Sequence, residues 1–331
     1  MTRTPKLIVT IDTEEEGLWS GQYQRVNNTV ENVHGIDRFQ DLCDRFEIRP
    51  TYLIDGPIVQ SDWAVELLAT IQDEGRAEIG AHLHPWCNPP LVEEINPRNS
   101  YLCNLPEDLQ RDKIGWLTDE IEGRIGRRPT SFRAGRYGLD ATGQRILASL
   151  GYTVDSSVIP FSDFRADGGP DYRRANCEAN FVGGLLEVPV TVGFNRLNFR
   201  RADLIRRIAS KSPWRQLKCV GILDRLGIVK RIKLSPEQAD LRRMKRLVQI
   251  RTTQAALCVV LMFHSSSLVP GYSPYVRNQA ALDIFYQRLA GIFQFCKSEL
   301  NMGCATLTEF ARQLTEPQSC PTETSLQEPV H

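Results

Sequence analysis

The stretch EIGAHLHPW, residues 78–86, is an apolar run that ends in two histidines, a proline and a tryptophan. The chain has only five histidines among its 331 residues, and His82 and His84 stand one residue apart at the end of this run. Alternate side chains of a strand point to the same face, so both rings are expected on one face. The pair indicates either a metal site or two polar rings that happen to close a strand.

Short apolar runs of this kind recur along the chain and alternate with segments of helical periodicity. Apolar residues at helical spacing predict helices over 29–46 and 106–125. Strands that are apolar on both faces and alternate with helices indicate a parallel sheet, and about seven or eight such units favour a closed or nearly closed (β/α) barrel over an open sheet. The predicted strands are KLIVTID (6–12), RPTYLID (49–55), AEIGAHL (77–83), TSFRAG (130–135), YTVDSS (152–157), LLEVPVTV (185–192), ALCVVLMFH (256–264) and GCATLT (303–308).

The pattern runs through nearly the whole chain and predicts a single α/β domain over residues 1–315, although 331 residues could also form two medium domains. Residues 196–251 stand outside the pattern and are expected to be a helical insert in the barrel. Residues 316–331, EPQSCPTETSLQEPVH, are polar and rich in proline, which predicts a disordered tail.

The insert is strongly basic. It holds 17 Lys or Arg and 4 Asp or Glu, whereas 40 basic and 40 acidic residues balance over the whole chain. Its paired arginines are interleaved with Leu and Ile at helical spacing, which predicts basic helices that contact an anionic membrane or receive a phosphate-bearing substrate. A solvated helical cap over the barrel mouth would produce the same pattern. The balanced total charge predicts no nucleic-acid partner.

The cysteine pattern favours a reducing compartment. Nine cysteines form no CxxC pair and their number is odd, so a disulfide framework is not expected. The first apolar run is too short for the core of a signal peptide, and no stretch approaches the roughly 18–20 apolar residues that span a bilayer. We therefore expect a cytoplasmic protein, with peripheral contact to the inner face of the membrane through residues 196–251 as an additional option.

The predicted strands end in polar residues that can carry chemistry. In a parallel barrel the carboxyl ends of the strands meet at one rim, where the active sites of such folds lie. Two carboxylates and two imidazoles at one rim can form a divalent metal site with an open coordination position. The residues concerned are Asp12 and Glu14 after the first strand, His82 and His84 after the third, Arg133 after the fourth, Asp155 after the fifth, and His264 after the late strand 256–264.

Each of these residues also has a purely structural interpretation. Arg133 could pair with a structural carboxylate, and His264 could be a satisfied core histidine. Acidic runs such as TEEEG are usually solvated, so Glu15 and Glu16 are expected to face water.

Six motifs occur in the order TIDTE, EIGAHLHPW, FRAGRYG, YTVDSSV, EVPV and LMFHSS. This series resembles the polysaccharide deacetylases of the NodB-homology type, a carbohydrate esterase family, and in particular a divergent branch associated with surface-polysaccharide biosynthesis. The resemblance covers residues 7–307. Apart from the basic helical insert, which the resemblance does not cover, it implies an irregular (β/α) barrel of about seven parallel strands and a divalent metal, often zinc, that serves in removing acetyl groups from N-acetylated sugars.

The resemblance also implies a role for each matching residue. The family's catalytic base falls at Asp12 and its general acid at His264, while Arg133 orients the base and His82 is a metal ligand. Tyr137 stands where the family has an aromatic residue whose backbone N–H helps to bind the oxyanion, and Asp155 matches an aspartate that supports the site.

Two departures from the family pattern concern the metal ligands. The family has a second, metal-binding aspartate directly after the base, but here Thr13 follows Asp12, and related divergent members suggest that Glu14 takes the metal role. Trp86 stands where the second metal histidine is usual, so His84 is the nearby substitute. The resemblance thus implies one divalent transition metal on Glu14, His82 and His84, with zinc first and cobalt, nickel or manganese as alternatives.

The expected function is hydrolysis of the N-acetyl group of an amino sugar in a glycan, or in a nucleotide-linked or lipid-linked polysaccharide precursor. Trp19, Trp86 and Tyr137 could stack on sugar rings. Two other functions stay open. A glycoside hydrolase on a related barrel could use Asp12 and Asp155 as its carboxylate pair, and a metal-free glycan-binding protein would explain the missing second histidine.

Overall fold

A computed structural model of the protein describes residues 4–210, 219–226 and 228–316, so all of the predicted tail but its first residue lies outside the described residues. The strands are β1 (Lys6–Thr13), β2 (Thr51–Ile54), β3 (Glu78–Leu83), β4 (Ser131–Ala134), β5 (Val154–Asp155), β6 (Asn180–Val182), β7 (Leu185–Glu187), β8 (Val192–Phe194), β9 (Arg231–Lys233) and β10 (Cys258–His264). The helices are α1 (Ile36–Arg45), α2 (Gly56–Gln60), α3 (Asp62–Asp73), α4 (Glu107–Ile125), α5 (Ala141–Ser149), α6 (Phe199–Ala209), α7 (Cys219–Arg225), α8 (Leu241–Thr253), α9 (Gln279–Gln294) and α10 (Leu307–Thr315).

Eight of the strands form one curled sheet in the order β10-β1-β2-β3-β4-β5-β7-β6. All neighbours pair in parallel except β6, which lies antiparallel to β7 at the edge. The predicted irregular (β/α) barrel of about seven parallel strands is therefore confirmed, as a half-barrel with helices. Strands β1 and β10 are buried along nearly their whole length, because parallel strands between helical layers meet apolar neighbours on both faces.

Two of the predicted strands are wrong in detail. The run 185–192 divides into β7 and β8 around Pro189, which has no N–H to donate to a ladder. The run 303–308 contributes only one bridge, between Leu7 and Cys304. Helix α10 begins there instead, because Thr306 and Glu309 form a reciprocal capping box at its N-terminus.

The described part of the basic segment 196–251 contains helices α6, α7 and α8, and also strand β9. Strand β9 pairs antiparallel with β8. Helix α8 packs Met244, Leu247 and Val248 into the main core, so it belongs to the barrel wall. Among the described residues, no helix combines the length and apolar character needed to cross a membrane.

The register of the parallel strands brings distant motifs together at one rim. Asp12 of β1 lies opposite His264 of β10, although 252 positions separate them in the chain. His82 of β3 lies opposite Arg133 of β4. The predicted site residues therefore converge because neighbouring strands end at similar heights in the sheet.

Candidate metal and catalytic site

A cleft of ≈ 380 Å³ opens at the carboxyl ends of β1, β3 and β10. Arg133 and Asp155 are buried and do not line it. The other six predicted site residues line the cleft, namely Asp12, Glu14, His82, His84, Tyr137 and His264.

Three potential ligand atoms converge at the bottom of the cleft. Oε2 of Glu14 lies 3.2 Å from Nε2 of His82 and 3.5 Å from Nε2 of His84, and the two Nε2 atoms lie 3.1 Å apart. All three side chains are at most 4 % exposed. These residues form one of the two groups of the described residues that could hold a metal ion.

The hydrogen bonds behind the rings indicate how both histidines are oriented. Nδ1 of His82 lies 2.9 Å from the carbonyl oxygen of Arg133, and Nδ1 of His84 lies 2.8 Å from Oε2 of Glu15. Both oxygens can only accept, so each Nδ1 carries the proton and donates it. In the neutral rings both Nε2 atoms then present lone pairs to each other and to Glu14. A cation between these atoms would satisfy them, and the mixed nitrogen and oxygen donors suit a divalent transition metal.

Glu15 is part of this site, which corrects the expectation that it faces water. Its side chain is 1 % exposed. Its Oε1 accepts a hydrogen bond from the Trp86 indole N–H at 2.8 Å, and its backbone N–H donates to Asp55 at 2.8 Å. Glu14 points to the cleft, whereas Glu15, the next residue, holds His84 from behind. The signal that could have found Glu15 is its position two residues after a strand that is buried from its second residue to its end.

The second group of potential ligands lies behind the first and consists of Glu15, Asp55, His84 and Cys87. The ring of His84 and the thiol of Cys87 already donate to the carboxylate of Glu15, as does the indole of Trp86 beside the group. Asp55 accepts from two backbone N–H groups, those of Glu15 and Ile58. The group therefore orients His84, as partners of metal-binding histidines commonly do.

Asp12 and Arg133 form a buried ion pair at the edge of the cleft. The guanidinium also donates to Oγ1 of Thr10 at 3.0 Å and to Oγ of Ser156 at 2.8 Å, which fixes its direction. Burial favours the protonated acid, but the charge and the hydrogen bond of Arg133 hold the pKa of Asp12 well below its ordinary value. Asp12 is therefore an ionised carboxylate that can accept a proton.

His264 stands across the cleft rim and is held by a residue that the sequence did not single out. Nδ1 of His264 lies 3.1 Å from both carboxylate oxygens of Glu237, which is buried. Burial would lower the pKa of His264, but the charge of Glu237, with smaller contributions from Glu14 and Asp12, raises it to about 9. The ring is thus a cation near neutral pH, with a proton to give. No sequence motif marks Glu237, which lies in the basic segment.

Aromatic side chains form much of the cleft wall. Trp19 meets His264 edge-to-face at 5.1 Å between ring centroids. Trp86 stacks on His84 at 4.3 Å and is 4 % exposed, so it mainly packs the metal ligand. Tyr137 lines the cleft with its backbone in the left-handed region at φ 61°, and its hydroxyl receives a hydrogen bond of 3.0 Å from Nζ of Lys233. Tyr23, which the sequence did not indicate, also lines the cleft.

Asp155 lies outside the cleft, below the rim. Its Oδ1 accepts from the backbone N–H of Ser157 at 2.8 Å, while its Oδ2 is buried without a hydrogen-bond partner among the described residues. Burial raises the pKa of Asp155. The next residue, Ser156, contacts Arg133 through both its hydroxyl and its carbonyl group. Asp155 thus does not contact the site itself and affects it only indirectly, through the position of Ser156.

No family model matches the chain, and no curated protein matches it by sequence. Among solved structures, the chain is similar to a protein of Mycobacterium smegmatis assigned as a polysaccharide deacetylase, with a TM-score of 0.54 and 16% sequence identity over 95% of this chain and 91% of that chain. It is also similar to 4-alpha-glucanotransferase of Thermococcus litoralis, with a TM-score of 0.52 and 12% identity over 93% of this chain and 40% of that chain. At such identities the likeness concerns the fold. The chain therefore shares the fold of a polysaccharide deacetylase, as the resemblance in its sequence implied.

Proposed function

We propose that this protein is a metal-dependent deacetylase that hydrolyses the N-acetyl group of an amino sugar in a glycan or glycan precursor. The observation that carries the proposal is the convergence of Oε2 of Glu14 with the Nε2 atoms of His82 and His84, within 3.1–3.5 Å of one another. Both histidines present unprotonated nitrogens to this point. The compact His-x-His pair thus supplies the two nitrogen ligands, although Trp86 occupies the usual position of the second histidine.

The neighbouring residues match the needs of amide hydrolysis. A bound divalent metal would polarise the amide carbonyl and acidify a water molecule. Asp12, kept ionised and oriented by Arg133, accepts the proton that the attacking water loses. The bond between the carbonyl carbon and the water oxygen forms and the carbon–nitrogen bond breaks, while His264 donates its proton to the departing amine. Acetate and a free amino sugar result, and a backbone N–H near Tyr137 is the proposed donor to the oxyanion.

The glycoside hydrolase alternative lacks support from this geometry. It requires two carboxylates on either side of the scissile bond. Asp12 lines the cleft, but Asp155 does not. A glycan-binding protein without a metal would not need the convergence of Glu14, His82 and His84, which supports the metal-dependent proposal instead.

We extend the proposal to the form and place of the substrate. A nucleotide-linked or lipid-linked precursor on the cytoplasmic side would suit a protein whose basic segment adjoins the barrel, and the eight free cysteines of the described residues agree with a reducing compartment. Zinc is the first choice of metal, and cobalt, nickel and manganese fit the same donors.

Elemental analysis of the purified protein tests the proposal directly. We expect about one transition metal ion per chain, and its loss in His82→Ala and in His84→Ala, because each removes one of three ligands. His34→Ala is the matched control, since His34 lies on the surface and stacks on Trp63. The metal-loaded protein should release acetate from N-acetylated sugars. Absence of metal in the wild type, even after incubation with excess zinc, would refute the mechanism.

A further inference from the structure

Helices α6 and α7 expose neighbouring apolar side chains. Seven of the thirteen exposed large hydrophobic residues of the described chain lie between Leu197 and Ile228. Ile205 and Ile208 of α6 and Ile222 of α7 are 44 %, 51 % and 51 % exposed. These three residues, with Ala209, Cys219 and Leu223, are the described residues that line a cavity of ≈ 330 Å³ between the two helices. We call this surface the apolar patch.

The apolar patch is a second apolar face of α6, because the first is already packed on the barrel. Phe199 and Ala202 are buried, and the ring of Phe199 lies so close to Gly193 of β8 that a Cβ there would collide with it. A surface helix of a globular protein normally has one apolar stripe, which faces the core. The exposed isoleucines on the other side of α6 therefore indicate a surface that packs against something else.

A basic groove adjoins the apolar patch. The groove has a volume of ≈ 990 Å³, and seven of its twelve lining residues are Lys or Arg, against one acidic residue. Arg225, at the end of α7, is one of them, so α7 contributes to both surfaces. Among the described residues, Arg225, Lys230, Arg242 and Arg246 have no carboxylate partner within ion-pair distance. Four of the seven cations that line the groove thus have no carboxylate partner among the described residues.

We propose that α6 and α7 dock on the surface of an anionic lipid membrane. The isoleucines of the apolar patch enter the boundary between headgroups and acyl chains, and the basic groove lies against the lipid phosphates. Helix α6 has 11 residues and is about 16 Å long, so it lies in the interface and does not span the membrane.

An anionic membrane fits these two surfaces better than the other candidate partners. A nucleic acid would use the basic groove but would leave the isoleucines in water. A second copy of the chain could cover the isoleucines, but it would place a second basic groove beside the first, and the like charges would repel. A lipid surface with anionic headgroups offers apolar depth and negative charge side by side.

Vesicle flotation tests the proposal with the full chain. We expect the wild type to float with vesicles of phosphatidylcholine and phosphatidylglycerol in equal amounts, and hardly at all with phosphatidylcholine alone. Ile205→Glu combined with Ile208→Glu should lower the partition coefficient by about tenfold or more, because two charges then enter the apolar boundary. The matched control is Ile284→Glu on α9, another exposed isoleucine at 48 %, which should bind as the wild type does. Arg242→Gln and Arg246→Gln should each lower binding to the anionic vesicles by about fivefold.

Three outcomes would overturn the proposal. The first is a wild type that does not float with the anionic vesicles, and the second is flotation that the double glutamate variant leaves unchanged. The third is a wild-type dimer, measured by light scattering, that the same variant turns into a monomer, because a second copy would then cover the apolar patch. Metal content and acetate release from a soluble, uncharged N-acetylated sugar should be unaffected by all these substitutions, so the membrane proposal can fail while the proposed function stands.

Discussion

The carboxylate of Glu15 lies 2.8 Å from Nδ1 of His84 and 2.8 Å from the indole nitrogen of Trp86, and so fixes the ring that presents its other nitrogen to Glu14. Carboxylate–histidine pairs of this kind set the tautomer and raise the basicity of the ligand. Glu15 is thus a positioning residue for the proposed metal site, although it contributes no ligand atom of its own.

Glu15→Gln should weaken metal binding by about 10–100-fold, because an amide holds the ring less strongly than a carboxylate does. Competition for zinc with a chromogenic chelator measures the effect. The neighbouring Glu16→Gln is the control, since Glu16 bonds to Thr29 and Asn32, away from the histidines. Equal affinities of the two variants would show that Glu15 does not orient His84.

Gly135→Ala should damage the same site by steric contact alone. A Cβ at Gly135 would lie 2.1 Å from Cδ2 and 2.9 Å from Nε2 of His84, and 2.7 Å from the carbonyl oxygen of Leu83. The backbone of Leu83 cannot move easily, so the imidazole must turn away from Glu14. We expect a large loss of bound metal in elemental analysis.

The control for this substitution is Gly115→Ala in α4, where a Cβ meets nothing within 4 Å. It should keep the metal and stabilise the helix by up to about 1 kcal/mol. Full metal content in Gly135→Ala would mean that the ring position is not critical.

The pair of Glu237 and His264 predicts the pH dependence of the reaction. Because the pKa of His264 is raised to about 9, the ring is protonated below that pH and can act as an acid. Activity should therefore fall as the pH rises through about 9. Glu237→Gln removes the nearby carboxylate, which lowers the pKa of His264 and moves this fall toward neutral pH.

The profile of kcat/KM against pH measures the shift. Glu299→Gln serves as the control, because Glu299 is exposed and its carboxylate pairs with Lys245 and not with His264. A basic limb that stays in place in Glu237→Gln would remove His264 from the role of general acid.

Asp12 and Asp155 separate deacetylation from glycoside hydrolysis. Asp12→Asn should abolish acetate release, because the base is lost, and leave most of the bound metal in place. Asp155→Asn should retain measurable acetate release, because Asp155 does not line the cleft. Acetate release and release of reducing sugar ends are assayed side by side. Hydrolysis of a glycosidic bond that both substitutions abolish would favour the glycoside hydrolase.

Arg133 should be important for stability as well as for catalysis. Arg133 is 0 % exposed and its removal in Arg133→Met leaves the buried Asp12 without its partner, at a cost of about 3–5 kcal/mol in the free energy of unfolding. Asp12→Asn in the same chain should recover part of this loss. Urea denaturation measures the change.

Arg165→Met is the matched control, since Arg165 is exposed and pairs with Asp163 at the surface. It should leave the free energy of unfolding nearly unchanged, because a solvent-exposed ion pair contributes little to stability. A similarly small loss in the free energy of unfolding for Arg133→Met would mean that other groups stabilise the buried carboxylate of Asp12.

Much of the fold and of the cleft could be predicted from the sequence. Runs such as 6–12 and 256–264 are apolar on both faces. Such strands are typical of a parallel sheet that helices cover on both sides. Polar residues that follow such strands must then lie at one rim, and this reasoning placed Asp12, His82 and His264 correctly in one cleft.

Tertiary contacts decided the rest, because they join positions that no local pattern connects. Glu15 and Glu16 are adjacent and identical in type, yet only Glu15 meets the indole of Trp86 and becomes buried. Glu237 reaches His264 from a segment whose composition predicted helices that contact an anionic membrane, receive a phosphate-bearing substrate or form a solvated cap. Asp155 follows the same strand-end rule as Asp12, yet its short strand and tight turn keep its carboxylate out of the cleft.

The sequence by itself thus determined the strand series, the rim and the order of the motifs, since hydrophobic periodicity follows directly from burial on two faces. Only the tertiary structure decided which carboxylate faces which ring. The physical reason is that the charge and orientation of a buried polar group depend on partners within about 3 Å, and these partners come from strands and loops far apart in the chain.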